Sequence, residues 1–154
     1  MCSDTSDIPC PPDPSRVGAR VDLVSPEGRP LGKLIFLDPS APRSATATHV
    51  RFVPHPTTEN RYQDRVLVSI YTTGDLTRSA AACTLLRQFP LSFAPAPGRG
   101  FEAPLVEPLA LGVGGDGIIG RRARVAFACC RGERGRVEWA PGVHGDGVVG
   151  FNSA

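Results

Sequence analysis

Lysine is almost missing from this chain: Lys33 is the sole lysine, against sixteen arginines. Arginine is favoured where bidentate contacts to phosphate or carboxylate matter. A GC-rich genome, such as that of a large DNA virus or a GC-rich microbe, produces the same bias and also enriches Gly, Pro and Ala. The composition fits that plainer cause better. Charge of one sign is also scarce. The net charge is +2, too small by itself to argue a nucleic-acid partner. Aromatic residues make up 6% of the chain, with Trp139 the only tryptophan. Long apolar runs are missing as well. Stretches such as Val125–Cys130 are far too short to cross a bilayer. Met1–Ser15 is polar and lacks the apolar centre of a signal peptide. Cys2, Cys10, Cys83, Cys129 and Cys130 contain no C-x-x-C pair. Together these absences predict a soluble, intracellular protein with reduced thiols and no membrane partner.

What the chain has in quantity is Gly 17 and Pro 16, together about a fifth of its 154 residues. Proline removes a donor and glycine adds backbone entropy, so long helices are excluded. The length suits one domain and is too short for an α/β barrel of ~250 residues. Met1–Arg16, with four prolines and three aspartates, reads as a disordered Pro-rich arm before a single β-rich domain over 17–154.

Apolar patterning between turn signals predicts strands at Val17–Val24, Leu31–Leu37, His49–Val53, Arg65–Thr72, Ile118–Ile119, Arg124–Cys130 and Arg136–Ala140. Ser25-Pro26-Glu27-Gly28 marks a turn between the first two, which makes them a hairpin. Arg131–Gly135 would join the last two. Val125, Phe127, Cys129, Val137 and Trp139 form the expected inner face of that second hairpin. Thr57–Asp64 is polar and reads as mobile. The prolines of Phe89–Pro108 restrict that stretch to edge strands and loops. Leu76–Gln88 is the one helix candidate, with Asp75 as N-cap and Pro90 as stop. The fold class is therefore mostly β: an antiparallel β-sandwich or small barrel with one short helix.

Gly112–Gly120 recurs thirty residues later as Gly142–Gly150, with six of nine positions identical. Each copy carries Gly-Asp-Gly before two β-branched residues, which reads as a pair of similar hairpin turns. Backbone amides in such turns can bind an anion, but Asp116 and Asp146 bring negative charge. Two aspartates alone make a sparse cation site. Neither copy carries a Walker lysine or the G-x-G-x-x-G order before a helix.

Candidate chemistry is sparse. Cys129, Cys130 and His144 lie on neighbouring elements, with Asp146 placed to orient the imidazole. Adjacent strand residues point to opposite faces, so at least one of those cysteines belongs to the core. His49, His55 and Cys83 have no metal-site spacing. Neither a metal nor a cofactor is expected. The densest charge is basic: Arg121, Arg122, Arg124, Arg131, Arg134 and Arg136 fall within sixteen residues. Arg122, Arg124, Arg134 and Arg136 are expected on the solvent face of one hairpin, as a solvated surface or as a site for phosphate or an acidic protein. No aromatic ladder accompanies them for stacking bases.

The C-terminal half resembles the trimeric dUTPase family and its degenerate viral relatives. Gly74-Asp75-Leu76 stands where that family has Gly-Tyr-Asp-Leu. Pro97-Gly98-Arg99-Gly100 stands for its Pro-x-Gly-x-x-Gly. Gly115–Gly120 takes the place of its sugar-binding turn, and the hairpin leading to Gly145–Val149 follows. The serine motif is absent from its place, since Pro42-Arg43-Ser44 comes far too early. The turn lacks both the catalytic aspartate after Ile119 and the tyrosine that receives the sugar. The resemblance thus implies a barrel that does not hydrolyse dUTP. The resulting expectation is a non-enzymatic protein-interaction module, such as a viral accessory or virion structural protein, for which a homo-oligomer is conceivable. Its binding candidates are Arg121, Arg122, Arg124, Arg134, Arg136, Asp116, His144 and Asp146. The alternatives are a dUTP-type nucleotide hydrolase and nucleic-acid binding through the Arg121–Arg136 hairpin.

Overall fold

A computed structural model describes residues 16–56, 65–92, 94–96, 100–129 and 138–153. The expected arm, the Thr57–Asp64 segment and the Arg131–Gly135 loop lie outside the described residues, apart from the backbone of Arg16. Ten strands follow in order: β1 (Arg16–Val24), β2 (Pro30–Leu37), β3 (Thr46–Pro54), β4 (Arg65–Tyr71), β5 (Leu85–Ser92), β6 (Ala94–Ala96), β7 (Gly100–Ala110), β8 (Arg122–Cys129), β9 (Glu138–Val148) and β10 (Gly150–Ser153). The pairings between them are antiparallel and form one sheet in the order β5-β4-β8-β9-β1-β2-β3-β7-β6, with β10 also on β1. The sheet curls into a nearly closed barrel. The mostly β class expected from the sequence is therefore the observed one.

The alternation of side chains gives the curled sheet one apolar face, which it turns inward. Ala19, Val21 and Leu23 of β1 point inward, as do Leu34 and Phe36 of β2. Val50 and Phe52 of β3, Val66, Val68 and Ile70 of β4, and Ala123, Val125 and Phe127 of β8 do the same. Each cross-strand register matches one inward residue to another, so a one-residue slip would turn a whole strand inside out. Phe52 and Phe127 meet across the interior from non-adjacent strands, with ring centroids 5.5 Å apart and planes tilted by 56°. The inner faces expected for Val125 and Phe127 are observed. Val137 and the side chains of Cys129 and Trp139 lie outside the description.

The β1–β2 hairpin turns at Ser25–Arg29 as its sequence requires. The Gly28 amide donates to the Ser25 carbonyl, and the Ser25 hydroxyl accepts from the Arg29 amide. The expected strand at Ile118–Ile119 is reduced to one isolated bridge between Val113 and Ile119, because neighbouring Gly114 and Gly115 turn the chain back with positive φ.

The helix expected over Leu76–Gln88 does not form. Ala80–Ala82 makes a single 3-10 turn, and the chain then extends into β5. Asp75 is an acceptor as expected, but it binds the Thr77 amide and hydroxyl in a local turn. Such side-chain-to-backbone bonds compete with helix. Leu85–Ser92 instead satisfies the free edge of β4 along its length. The gain of a full ladder outweighs weak helical spacing.

The two copies of the repeat also differ. Gly112–Gly120 is a turn, whereas Asp146 and Gly147 sit inside strand β9. The glycines there are needed for space. A Cβ on Gly147 would stand 2.2 Å from the Asp22 carbonyl oxygen and 2.6 Å from a Val21 methyl. Gly145 and Gly147 face inward opposite Val125 and Ala123, so they let β1 lie close against this wall. Gly147→Ala should therefore lower stability by roughly 1–3 kcal/mol, the usual cost of overpacking. Gly150→Ala, where a Cβ meets nothing within 4 Å, should be near neutral. Urea denaturation of the two variants checks this; equal midpoints would contradict it.

Candidate functional site

Strand β8 enters the sheet through Arg121 and Arg122, and the two side chains diverge. The Arg121 guanidinium donates to three carbonyl oxygens: Gly117 at 2.6 Å, Gly115 at 2.5 Å and Thr72 at 2.8 Å. It thereby ties the Gly-rich turn to the end of β4. Asp116, on the tip of that turn, is exposed.

Arg122 points to the outer face of the barrel, yet it is only 4% exposed. The expected solvent-facing arginine is thus a buried one. The connection from β4 to β5 folds over it. Its Nη1 donates to the Arg78 carbonyl at 2.7 Å and reaches the Asp75 carbonyl at 3.5 Å. Its Nε and Nη2 meet the two carboxylate oxygens of Asp146 at 3.4 and 3.1 Å. The guanidinium carbon stands 5.7 Å from the centre of the Tyr71 ring, within cation–π range. The Cys83 sulfur lies 3.9 Å from Nη1. Burial alone would weaken the charge, but the hydrogen bonds and charge of Asp146, with a contribution from Cys83, more than offset it. The guanidinium is held protonated even more firmly than usual. A charge removed from water is tolerated when its donors meet a carboxylate and carbonyls in this way.

Arg124, two residues along, sits between Ser69 and Asp146 in register. Among the described residues its guanidinium has no side-chain partner. Ser69 beside it is buried and accepts a hydrogen bond from the Gln88 amide at 3.0 Å. His144 lies opposite Ala126. Glu27, in the β1–β2 turn, is held below the usual carboxylate range, first by its own amide and the Ser25 hydroxyl; the charge of His144 is a smaller contribution. The residues after His144, Gly145 and Asp146, lie beside Val24 at the end of β1, where that turn begins. Asp146 is not available to orient His144, since both carboxylate oxygens are engaged by Arg122.

The structure thus brings together Arg122, Arg124, His144 and Asp146 on one outer face, and Arg121 with the turn of Asp116. Arg134, Arg136 and Cys130 lie outside the described residues, as does the side chain of Cys129. His49 is bound locally, its Nδ1 2.9 Å from the Thr48 hydroxyl. Among the described residues, no group of three or more His, Cys, Asp or Glu side chains is placed to hold a metal ion. No described helix is long and apolar enough to cross a membrane. Sequence reasoning missed Tyr71 and Cys83 as partners of Arg122. Neither carries a local signal, because the contact depends on how the 72–84 connection folds back.

Two measurements test this arrangement. Arg122→Met should destabilise the fold by about 3 kcal/mol, because it leaves the Asp146 carboxylate, only 21% exposed, without its cation. Adding Asp146→Leu should recover part of that loss, and a thermal-denaturation cycle reads the coupling. The second concerns acid. The Thr77 hydroxyl and amide, with Arg78 and Arg122 nearby, hold the Asp75 carboxyl below the usual range. A lowered folded value means that the support is fully present above the ordinary carboxylate range and is lost as pH falls through the lowered value. The Thr77 amide resonance should therefore titrate with a midpoint below that of a free aspartate. A midpoint at or above the free value would contradict the turn.

Compared with protein-family models and with curated protein sequences, the chain matches none.

Proposed function

We propose that this chain is a non-enzymatic module that binds a protein partner through one rim of its barrel. The observation that carries the reading is a pair of exposed valines on two projections tied to the barrel by side-chain contacts. Val106 is 99% exposed and Val113 is 77% exposed. Val113 belongs to the turn that Arg121 grips by two carbonyls. Val106 belongs to a bulge of β7, where residues 105–108 stand against Thr48 alone between the pairs His49–Pro104 and Ala47–Leu109. That bulge is fixed by Leu105, which packs on the core, and by an ion pair of 2.8 Å between Glu107 and Arg87. A continuous path joins the two projections. Arg121 binds the Thr72 carbonyl, the Thr72 amide binds the Thr84 carbonyl, and Leu85 follows, 45% exposed. Arg87 then reaches Glu107. Isolated surface valines are ordinary. Aliphatic side chains on projections tied to the barrel are suited to docking, because they lose less freedom on binding than side chains on free loops.

The resemblance to degenerate dUTPases is compatible with this reading, as is a viral accessory or structural role. The barrel-like sheet and the turn at Gly112–Gly120 support it; the missing aspartate after Ile119 speaks against hydrolysis. Nucleic-acid binding through the arginine-rich stretch loses support, because Arg121 and Arg122 are already engaged by protein groups.

A photo-crosslinking amino acid at position 106, 113 or 22 tests the rim in cells expressing the protein. The same protein should crosslink from 106 and 113, and not from the β1 outer face at 22. Purified with that protein, Val106→Asp and Val113→Asp should each weaken binding about tenfold or more while leaving thermal stability unchanged. Equal crosslinking at 22, or variants that bind normally, would contradict the reading. Release of pyrophosphate from dUTP and magnesium, abolished by Asp116→Ala, would favour the hydrolase instead.

A further inference from the structure

The barrel has a seam. Among the named strands, β5 and β6 end the sheet order; β6 pairs with β7 at residues 100–102, but no ladder joins β5 to β7, so the gap lies between residues 85–91 and 104–110. The two strands nevertheless face each other, because Arg87 of β5 and Glu107 of β7 form an ion pair of 2.8 Å. Prolines line both edges. Pro90 stands opposite Leu67 within the β4–β5 ladder. A nitrogen without a proton is accommodated there when it points away from β4, into the seam. Pro104 and Pro108 stand in β7 on the opposite side. These prolines remove donors that would otherwise close the barrel or accept a foreign strand. Behind the seam, Leu86, Phe89 and Leu105 are only partly buried against the core. The β9–β1 junction is short, one pair at Val24 and Asp146 with β10 continuing along residues 16–20, and the remaining junctions in the sheet order are longer ladders.

We propose that the seam is the place where this barrel opens, and that Arg87–Glu107 is its latch. Opening is a local excursion in which β5 separates from the β7 bulge and loosens from its ladder with β4, while the β1–β2–β3 wall stays intact. The latch also fixes the bulge that carries Val106, so its state sets how that side chain is presented. This consequence rests on the partner-binding reading; the opening itself does not, and its test uses no partner.

The test is amide hydrogen exchange on the full chain, resolved by residue. The Arg87, Phe89 and Leu91 amides should exchange at least tenfold faster than those of Val21, Leu34 and Phe36. Glu107→Gln should speed the β5 group a further two- to fivefold, the range that an exposed ion pair supports, and leave β1 and β2 unchanged. High salt should reproduce that change in the wild type and have little effect on the variant. The exchanged pair, Arg87→Glu with Glu107→Arg, should restore slow exchange. Equal rates in β5 and β1–β2 would overturn the proposal, as would a Glu107→Gln effect spread evenly over all strands. Loss of Val106-dependent binding with these results intact would instead bear on the docking reading alone.

Discussion

A guanidinium without water is the constraint on which one wall of this protein depends. Arg122 lies on the outside of the barrel, where solvent would normally cover it. The 72–84 connection covers it instead. Removing an ionised group from water costs several kcal/mol unless its donors are met. Here Asp146 of β9, the carbonyls of Arg78 and Asp75, and the ring of Tyr71 meet them. One side chain thereby ties the 72–84 connection to the sheet and pairs β8 with β9. Arg121 performs a related task toward the opposite side, holding a Gly-rich turn by its carbonyls. The arginine-rich stretch is therefore partly architecture, and its charge count overstates what is left to face a ligand.

Inside the barrel the governing constraint is proximity. Large side chains from β2, β3, β4 and β8 fill the interior, and Phe52 reaches Phe127 across it. The wall at β9 compensates by carrying glycine inward, so that the backbones of β9 and β1 approach more closely than any side chain would allow. The same glycines appear in the sequence as a repeat. One copy is selected for its turn and the other for its lack of volume. Similar strings thus arise for two different physical reasons.

Much of the strand pattern was legible. Val17–Val24 and Arg65–Thr72, with an apolar residue at every second position, and Leu31–Leu37, stopped by Asp38-Pro39, form β1, β2 and β4 within a residue at most ends. The turn at Ser25–Gly28 was legible because its hydrogen bonds are local. The prolines of Phe89–Pro108 marked edge strands, and β6 is one, but β7 pairs with both β3 and β6 and so lies inside the sheet order. Leu76–Gln88 was misread because helical spacing in a short segment is a weak signal against a vacant strand edge. The burial of Arg122 was not legible at all: its partners lie 24, 39, 44 and 47 residues away. Nothing in Arg121-Arg122-Ala123-Arg124 distinguishes the arginine that is buried from the two that are not.

The most direct measurement of this account is proton exchange at the arginine side chains by nitrogen-resolved NMR. The Nε protons of Arg121 and Arg122 are hydrogen-bonded to the Gly117 carbonyl and to Asp146. They should give sharp, slowly exchanging signals near neutral pH, with Arg122 the slower because it is buried. The Nε proton of Arg124 should exchange rapidly with water. If Arg122 exchanges as fast as Arg124, the guanidinium is solvated, and the wall described here is not built on it.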